Sequence, residues 1–206
     1  MAQERAQHTR QAVLDAAAAV FDQKGFAGAA ISEILERAGV TKGAMYFHFR
    51  SKEDLARALI EEQDAWRLGV VLQGSSALQR LIGLGETFAR ALQDNAVIRA
   101  SIRLTLERGT FSVVDTAAPY QNWRDAVREL LSQARQAGQL RPGADVDKAA
   151  FSITAAFTGL QLMSEATSQR RDLCARLDDF WACFLVGLAT TEAYASLDLG
   201  HSAVAS

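Results

Sequence analysis

Residues 31–55, Ile-Ser-Glu-Ile-Leu-Glu-Arg-Ala-Gly-Val-Thr-Lys-Gly-Ala-Met-Tyr-Phe-His-Phe-Arg-Ser-Lys-Glu-Asp-Leu, set two short helical segments around an Ala-Gly-Val turn and end in an aromatic and basic run. Gly39 is free to take the left-handed backbone that closes the first segment. Thr41 is placed to cap the second by accepting from a backbone N–H two or three residues on. Two helices joined in this way form a helix-turn-helix, so the stretch predicts a DNA-reading head.

The same three-to-four-residue apolar period extends in both directions. Upstream, Val13, Ala16, Ala17, Val20 and Phe21 line one face of a helix over residues 9–24, with Gly25 as its stop and Phe26 turned back on the core. Downstream, Ser51 caps a helix with Glu53 and Asp54 in its first turn and Leu55, Ala58, Leu59, Glu62 and Trp66 along one side. Residues 69–76 are small and flexible and mark a break. Beyond them, apolar stripes predict helices through Leu78–Leu92, Val97–Leu106, Tyr120–Ala134, residues 147–166 and residues 171–190. A loop is expected from Gly109 to Ala118, and Gly138 with Pro142 closes the helix through Trp123. With two prolines in 206 residues, the prediction is an all-α chain. A head over residues 1–55 is joined through its fourth helix to a larger helical ligand-binding and dimerisation domain over 56–206, flexible from about Asp198.

Composition narrows the function. About half the residues are apolar (49%), enough for a sizeable core, and the net charge of −2 provides no general basic surface. The nucleic-acid signal is local: Lys42, His48, Arg50 and Lys52 occur with no acid among them. Cys174 and Cys183 are too few and too badly spaced for a metal cage, no metal or cofactor is expected, and the cysteines read as packing residues of a reducing compartment. The absence of a long apolar run and of a signal-peptide core predicts a cytoplasmic protein with no membrane partner. His8, His48 and His201 have no nucleophile and acid partnership, and no phosphate-cradling glycine loop occurs, so an enzyme is not expected.

Lys24-Gly25-Phe26, Ile31-Ser-Glu-Ile34, Ala38-Gly-Val-Thr-Lys-Gly43 and Tyr46-Phe-His-Phe-x-Ser-Lys-Glu-Asp-Leu55 together resemble the TetR family of bacterial transcriptional regulators. Gly39–Phe49, Glu61-Glu62-Gln63, Val97–Leu104 and Trp123-Arg124 are further similar to the γ-butyrolactone receptors of actinomycetes, which regulate antibiotic production and development. The resemblance implies a repressor that binds a pseudo-palindromic operator as a homodimer. A γ-butyrolactone-like signal, a butenolide or a furan would release it. The rival is a repressor of an efflux or catabolic operon answering to a drug, fatty acid or aromatic compound. One departure stands out: Ala29-Ala30 replaces the Ser or Thr that usually caps the second helix and can touch phosphate, a loss of typically ~1 kcal/mol.

The expected DNA contacts are Thr41, Lys42, Gly43, Ala44, Tyr46, Phe47, His48 and Lys52. Lys42 reaches toward guanine, Gly43 lets the backbone approach, and Tyr46, His48 and Lys52 serve phosphates. Tyr46, Phe47 and Phe49 also have a plain reading as core aromatics. For the effector, Thr154, Thr158 and Gln161 form a polar stripe at i, i+4 and i+7, unless the hydroxyls bond back to their own helix and Gln161 lies in the dimer contact. The receptor resemblance implies that Trp123 packs on the ligand. Gln63 adds an amide, and Leu84, Phe88, Val127 and Phe157 are apolar candidates for the same site. Phe180, Trp181, Phe184 and Leu188 are the expected dimer contact, within a four-helix bundle shared by two subunits.

Overall fold

The computed structural model describes residues 2–107 and 117–200, and within them ten helices follow one another: α1 (Ala2–Gly28), α2 (Ile31–Ala38), α3 (Lys42–His48), α4 (Lys52–Gly69), α5 (Ala77–Asp94), α6 (Ala96–Leu106), α7 (Ala118–Gln136), α8 (Val146–Ser168), α9 (Leu173–Leu188) and α10 (Thr191–Ala195). The expected all-α class holds, and the final short helix is an addition to it. Most of the loop expected from Gly109 lies outside the described residues, as does His201, while Ala118 opens α7.

Two compact units result. The first comprises residues up to Gly69 together with Asp94–Pro119. Its core is built from Val13, Leu14, Ala17 and Phe21 of α1, Ile34 of α2, Met45 of α3, Phe49, and Leu55 and Leu59 of α4, with Ala100 and Leu104 of α6 completing it. As a compact unit it takes in, besides residues 1–55, the rest of α4 and α6. The head borrows α6 from the middle of the chain, because the α1 and α4 faces are too apolar to be covered by α2 and α3 alone.

A polar clamp accompanies that borrowing. The Arg99 Nε is 2.7 Å from Asp22 Oδ2, Arg103 Nη1 donates to the carbonyls of Asp22 and Gln23, and Glu107 Oε2 accepts from the Phe26 N–H at 2.8 Å. These groups occupy α1 at the point where Gly25 (φ 69°, ψ −178°) breaks the helical backbone. A Cβ on Gly25 would stand 2.1 Å from Glu107 Oε1 and push that carboxylate aside, but it is the backbone angles that demand glycine.

In the second unit, Val70–Gln93 and Tyr120 onward, the buried apolar side chains include Leu78, Leu81, Ile82 and Phe88 of α5, Leu130 and Leu131 of α7, Ile153 of α8, and Leu177 and Trp181 of α9. Gly85 is the point of close approach, since a Cβ there would lie 3.2 Å from Leu177 and 3.3 Å from the Trp181 ring. The chain after α10 is not free from Asp198 as expected. Gln79 pairs with both the carbonyl and the N–H of Asp198, and Leu199 is buried.

Helices α8 and α9 meet through a turn in which Gln169 and Arg170 both have positive φ. Asp172 organises it: Ser164 and Ser168 donate to Oδ1, and Arg176 Nε lies 3.2 Å from Oδ2. The two serine hydrogen bonds, and then Arg176, hold its carboxyl down to about 2, against an ordinary value of 3.8. Because the folded value is depressed, the stabilisation is complete above about pH 4 and is lost as pH falls toward 2.

Two outcomes are expected. Gly25→Ala should lower stability by about 2 kcal/mol or more in chemical denaturation, at unchanged helical content. Asp172→Asn should be less stable than the parent at neutral pH, and the difference should shrink as pH falls from 4 to 2 in thermal melts; a constant difference would detach the carboxylate from the turn.

Candidate nucleic-acid interface and effector site

Helix α2 ends where Gly39 takes φ 64° and ψ 30°, its N–H donating to Glu36 and that of Val40 to Leu35. This left-handed residue turns the chain without a Cβ clash. Thr41 follows in extended backbone, and its Oγ1 accepts from the Ala44 N–H at 3.2 Å. Two turns of α3 follow. Met45 is wholly buried and Phe49 nearly so, and they fix the helix to the core. At the start of α2, Ala30 supplies no side-chain cap, as its composition requires.

Anchoring at Met45 and Phe49 leaves the other face of α3 in solvent. Thr41, Lys42, Gly43, Tyr46 and Phe47 are exposed, Phe47 at 80%. Phe49 thus takes the core reading, and Phe47 does not. The Lys42 ammonium sits 5.8 Å over the Tyr46 ring, and the Phe47 ring meets His48 edge to face at 5.0 Å. Ala44 and His48 are half-buried beside them. The structure thus brings Thr41, Lys42, Gly43, Ala44, Tyr46, Phe47 and His48 onto one two-turn platform.

Lys52 stands apart from that set. Its ammonium donates to the Ala29 carbonyl at 2.6 Å and lies 4.6 Å over the Phe26 ring. Partial burial lowers the amine pKa, against the opposing pull of Glu53 and Glu107. The expected phosphate ligand is thus engaged in tying the start of α4 to the chain between α1 and α2. Arg50, exposed at the turn after α3, is a cation that the expected contact set omitted although the basic run contained it.

In the second unit the aromatic candidates converge. Phe88 of α5 lies between Trp123 of α7, at 4.3 Å between ring centroids, and Phe157 of α8, at 5.3 Å. Leu84 and Val127 are buried. Thr154 and Thr158 donate their hydroxyls to the carbonyls of Ala150 and Thr154, the self-satisfied alternative for that stripe. Gln161 is buried rather than exposed for a dimer contact, and its Oε1 has no hydrogen-bond partner. Gln63 belongs to the first unit: it is buried, accepts from Ser101 Oγ at 2.8 Å, and leaves its Nε2 unpaired.

The expected dimer set requires a correction. Trp181 is 1% exposed, packed against Gly85 of its own chain with an unpaired indole N–H, and offers nothing to a second subunit. Phe180 and Phe184 stack on each other half-buried, and Leu188 is half-buried as well. The apolar side chains that do face solvent are Phe151, Leu162 and Met163 on α8 and Val186 on α9. Sequence periodicity marked both helices as apolar on more than one side, but it does not say which side meets α5.

Residues 13–59 match the bacterial regulatory proteins of the tetR family, and residues 75–190 match the tetracyclin repressor-like C-terminal domain. The chain belongs to the TetR family. This TetR-family chain is 43% identical over 187 residues to the A-factor receptor protein of Streptomyces griseus, covering 91% of its own length and 66% of that receptor's. Among solved structures it is similar to full-length TylP, a TetR regulator from Streptomyces fradiae (38% identity, TM-score 0.79, 97% of this chain and 87% of that one). A γ-butyrolactone receptor described as an ArpA-like protein is also similar (30% identity, TM-score 0.75, 93% and 92%). TetR proteins are DNA-binding regulators rather than enzymes. Among the described residues no group of His, Cys, Asp and Glu is arranged to hold a metal ion, and no helix is long and apolar enough to cross a membrane.

Thr41→Ala should cost about 1 kcal/mol by removing the cap on α3, with Thr41→Ser recovering most of it in thermal melts. Equal stability of all three proteins would mean that the cap does not hold α3.

Proposed function

We propose that this TetR-family chain is a ligand-responsive transcriptional repressor, binding a pseudo-palindromic operator as a homodimer and released by a small γ-butyrolactone-like signal, with a butenolide or furan as related chemistries. The DNA side of the reading rests on the platform of α3: Lys42, Tyr46 and Phe47 are free of structural duty and carried on a helix fixed from behind. So short a helix reaches few base edges, and two half-sites supply the remaining specificity through spacing and DNA shape.

The observation that carries the effector side is the pair of unpaired polar atoms in the second unit. Gln161 Oε1 is an acceptor and Trp181 Nε1 a donor, each buried without a partner, in the helical unit that also carries Phe88, Trp123 and Phe157. An unpaired buried polar group costs about 1–3 kcal/mol, so a ligand that reached either atom would gain affinity from a group already desolvated. A small molecule with an apolar body, one hydroxyl to donate and one carbonyl to accept has the matching chemistry. Hydroxylated lactones fit that description, and the likeness to the A-factor receptor protein and to the γ-butyrolactone receptor supports the same class. Purely aliphatic effectors leave both atoms unpaired. For the dimer, the solvent-facing Phe151, Leu162, Met163 and Val186 are apolar surface suited to a second copy.

To release DNA, the effector must bind the DNA-incompetent state better, and a 100-fold release needs about 2.7 kcal/mol of that preference. The test is fluorescence anisotropy at fixed salt on duplex DNA from upstream of the protein's own gene, titrated with γ-butyrolactones, butenolides and furans. Tight binding released by one of them is expected, with Trp123→Ala retaining DNA affinity while losing the response. Tight binding that only a drug, fatty acid or aromatic compound releases would move the protein to the efflux or catabolic class. A single half-site bound as tightly as the full palindrome would overturn the dimeric reading.

A further inference from the structure

We infer that Phe47 is a specificity-determining residue that reads the methyl group of a thymine in each operator half-site. The inference rests on the DNA-binding reading above and deepens it, naming a base and the atom on it.

At 80% exposure, Phe47 is the most exposed of the large apolar side chains among the described residues. It is not a remnant of core packing, because the neighbours that hold α3 down, Met45 and Phe49, are buried on the opposite side. Nor is its ring loosely placed, since His48 meets it edge to face at 5.0 Å and restricts where it points. Along α3, Phe47 lies one turn after Gly43, which has nothing within 4 Å of where a Cβ would be. That strip of the helix therefore has a bare backbone at one end and a projecting aromatic ring at the other, a shape that lets the helix sink into a groove until the ring touches its floor.

The chemistry of the floor selects the partner. A phenyl ring has no hydrogen-bond donor for a phosphate and none for guanine or adenine edges. In the major groove, the one apolar group presented by the bases is the C5 methyl of thymine. The charged and hydroxylated side chains on the platform, Lys42, Tyr46 and Thr41, are suited to phosphates and to polar edges. Phe47 is the exposed aromatic of the set with no polar group of its own, and the thymine methyl is the base-edge group that it can bury. Because the ring is already exposed in the free protein, the contact buries apolar surface at no cost to the fold.

Replacing thymine by uracil deletes the methyl and nothing else, which makes the inference directly testable. A duplex enriched by selection from random DNA with the full-length protein would be rebuilt with each thymine changed singly to deoxyuridine, and affinities measured at fixed salt. One thymine per half-site should show a loss of about fourfold, and about 15-fold when both half-sites are changed, the size expected for one buried methyl at each. Phe47→Ala should bind the parent duplex more weakly, be indifferent to uracil at those positions, and keep the parent's circular dichroism and melting temperature. Phe47→Leu should restore part of the discrimination. A flat uracil scan of a duplex the protein binds specifically would overturn the inference and leave the repressor reading intact, as would a Phe47→Ala protein that keeps the parent's sensitivity. Failure to enrich any sequence would overturn both.

Discussion

The junction between the end of α1 and the side of α6 is the constraint on which the DNA-binding unit rests. Helix α1 supplies the central face of the core, but its last turns carry backbone carbonyls with no helical partner once Gly25 leaves the helical region. Arg103 donates to two of these carbonyls, Arg99 pairs with Asp22, and Glu107 receives the Phe26 N–H. Lys52 adds a hydrogen bond to Ala29 a few residues later. The chain between α1 and α2 is thus satisfied from two directions by residues far away in sequence. Because Phe26 and Ala29 are buried at the same place, polar and apolar restraints act on one short segment, and the entry angle of α2 and α3 follows from it.

Much of this was legible from the residues. The Gly39 turn, the Thr41 cap, the Gly25 break, the Ser51 cap and the missing cap at Ala30 are all local features, and the structure has each where the sequence places it. What escaped was set by distant partners. Nothing in Val97–Leu106 taken alone assigns α6 to the first unit, because its apolar stripe would pack equally well elsewhere. Lys52 has the residue type and position of a phosphate ligand, and only the proximity of Ala29 reveals its other engagement. Trp181 lies within a wide apolar band on α9, and the absence of a side chain at Gly85, on another helix, decides that it points inward. Apolar periodicity identifies faces, and the assignment of a face to a neighbour is a tertiary fact.

Each unit leaves buried polar side-chain atoms without a partner among the described residues: Gln63 Nε2 in the first, Gln161 Oε1 and Trp181 Nε1 in the second. Most buried donors and acceptors in native proteins are paired, and the threonines of α8 follow that rule by bonding back to their own helix. Gln161 Oε1 and Trp181 Nε1 do not, although α8, which carries Gln161, is capped by Asp145 at its start and by Gln169 at its end. Trp123 is half-buried beside Phe88, its ring centroid 4.3 Å away.

The division of labour within α3 has an evolutionary consequence. A seven-residue helix has no stability of its own, so its shape depends on Met45, Phe49 and the Thr41 cap, while Tyr46 and Phe47 contribute almost nothing to folding. Selection can therefore alter the outward positions freely, since a change there leaves the fold's stability margin untouched. Duplicated copies of such a gene are able to diverge in operator choice within a single genome by a few surface substitutions, each retaining the same head, and a set of parallel signalling circuits insulated from one another is the natural product of that freedom.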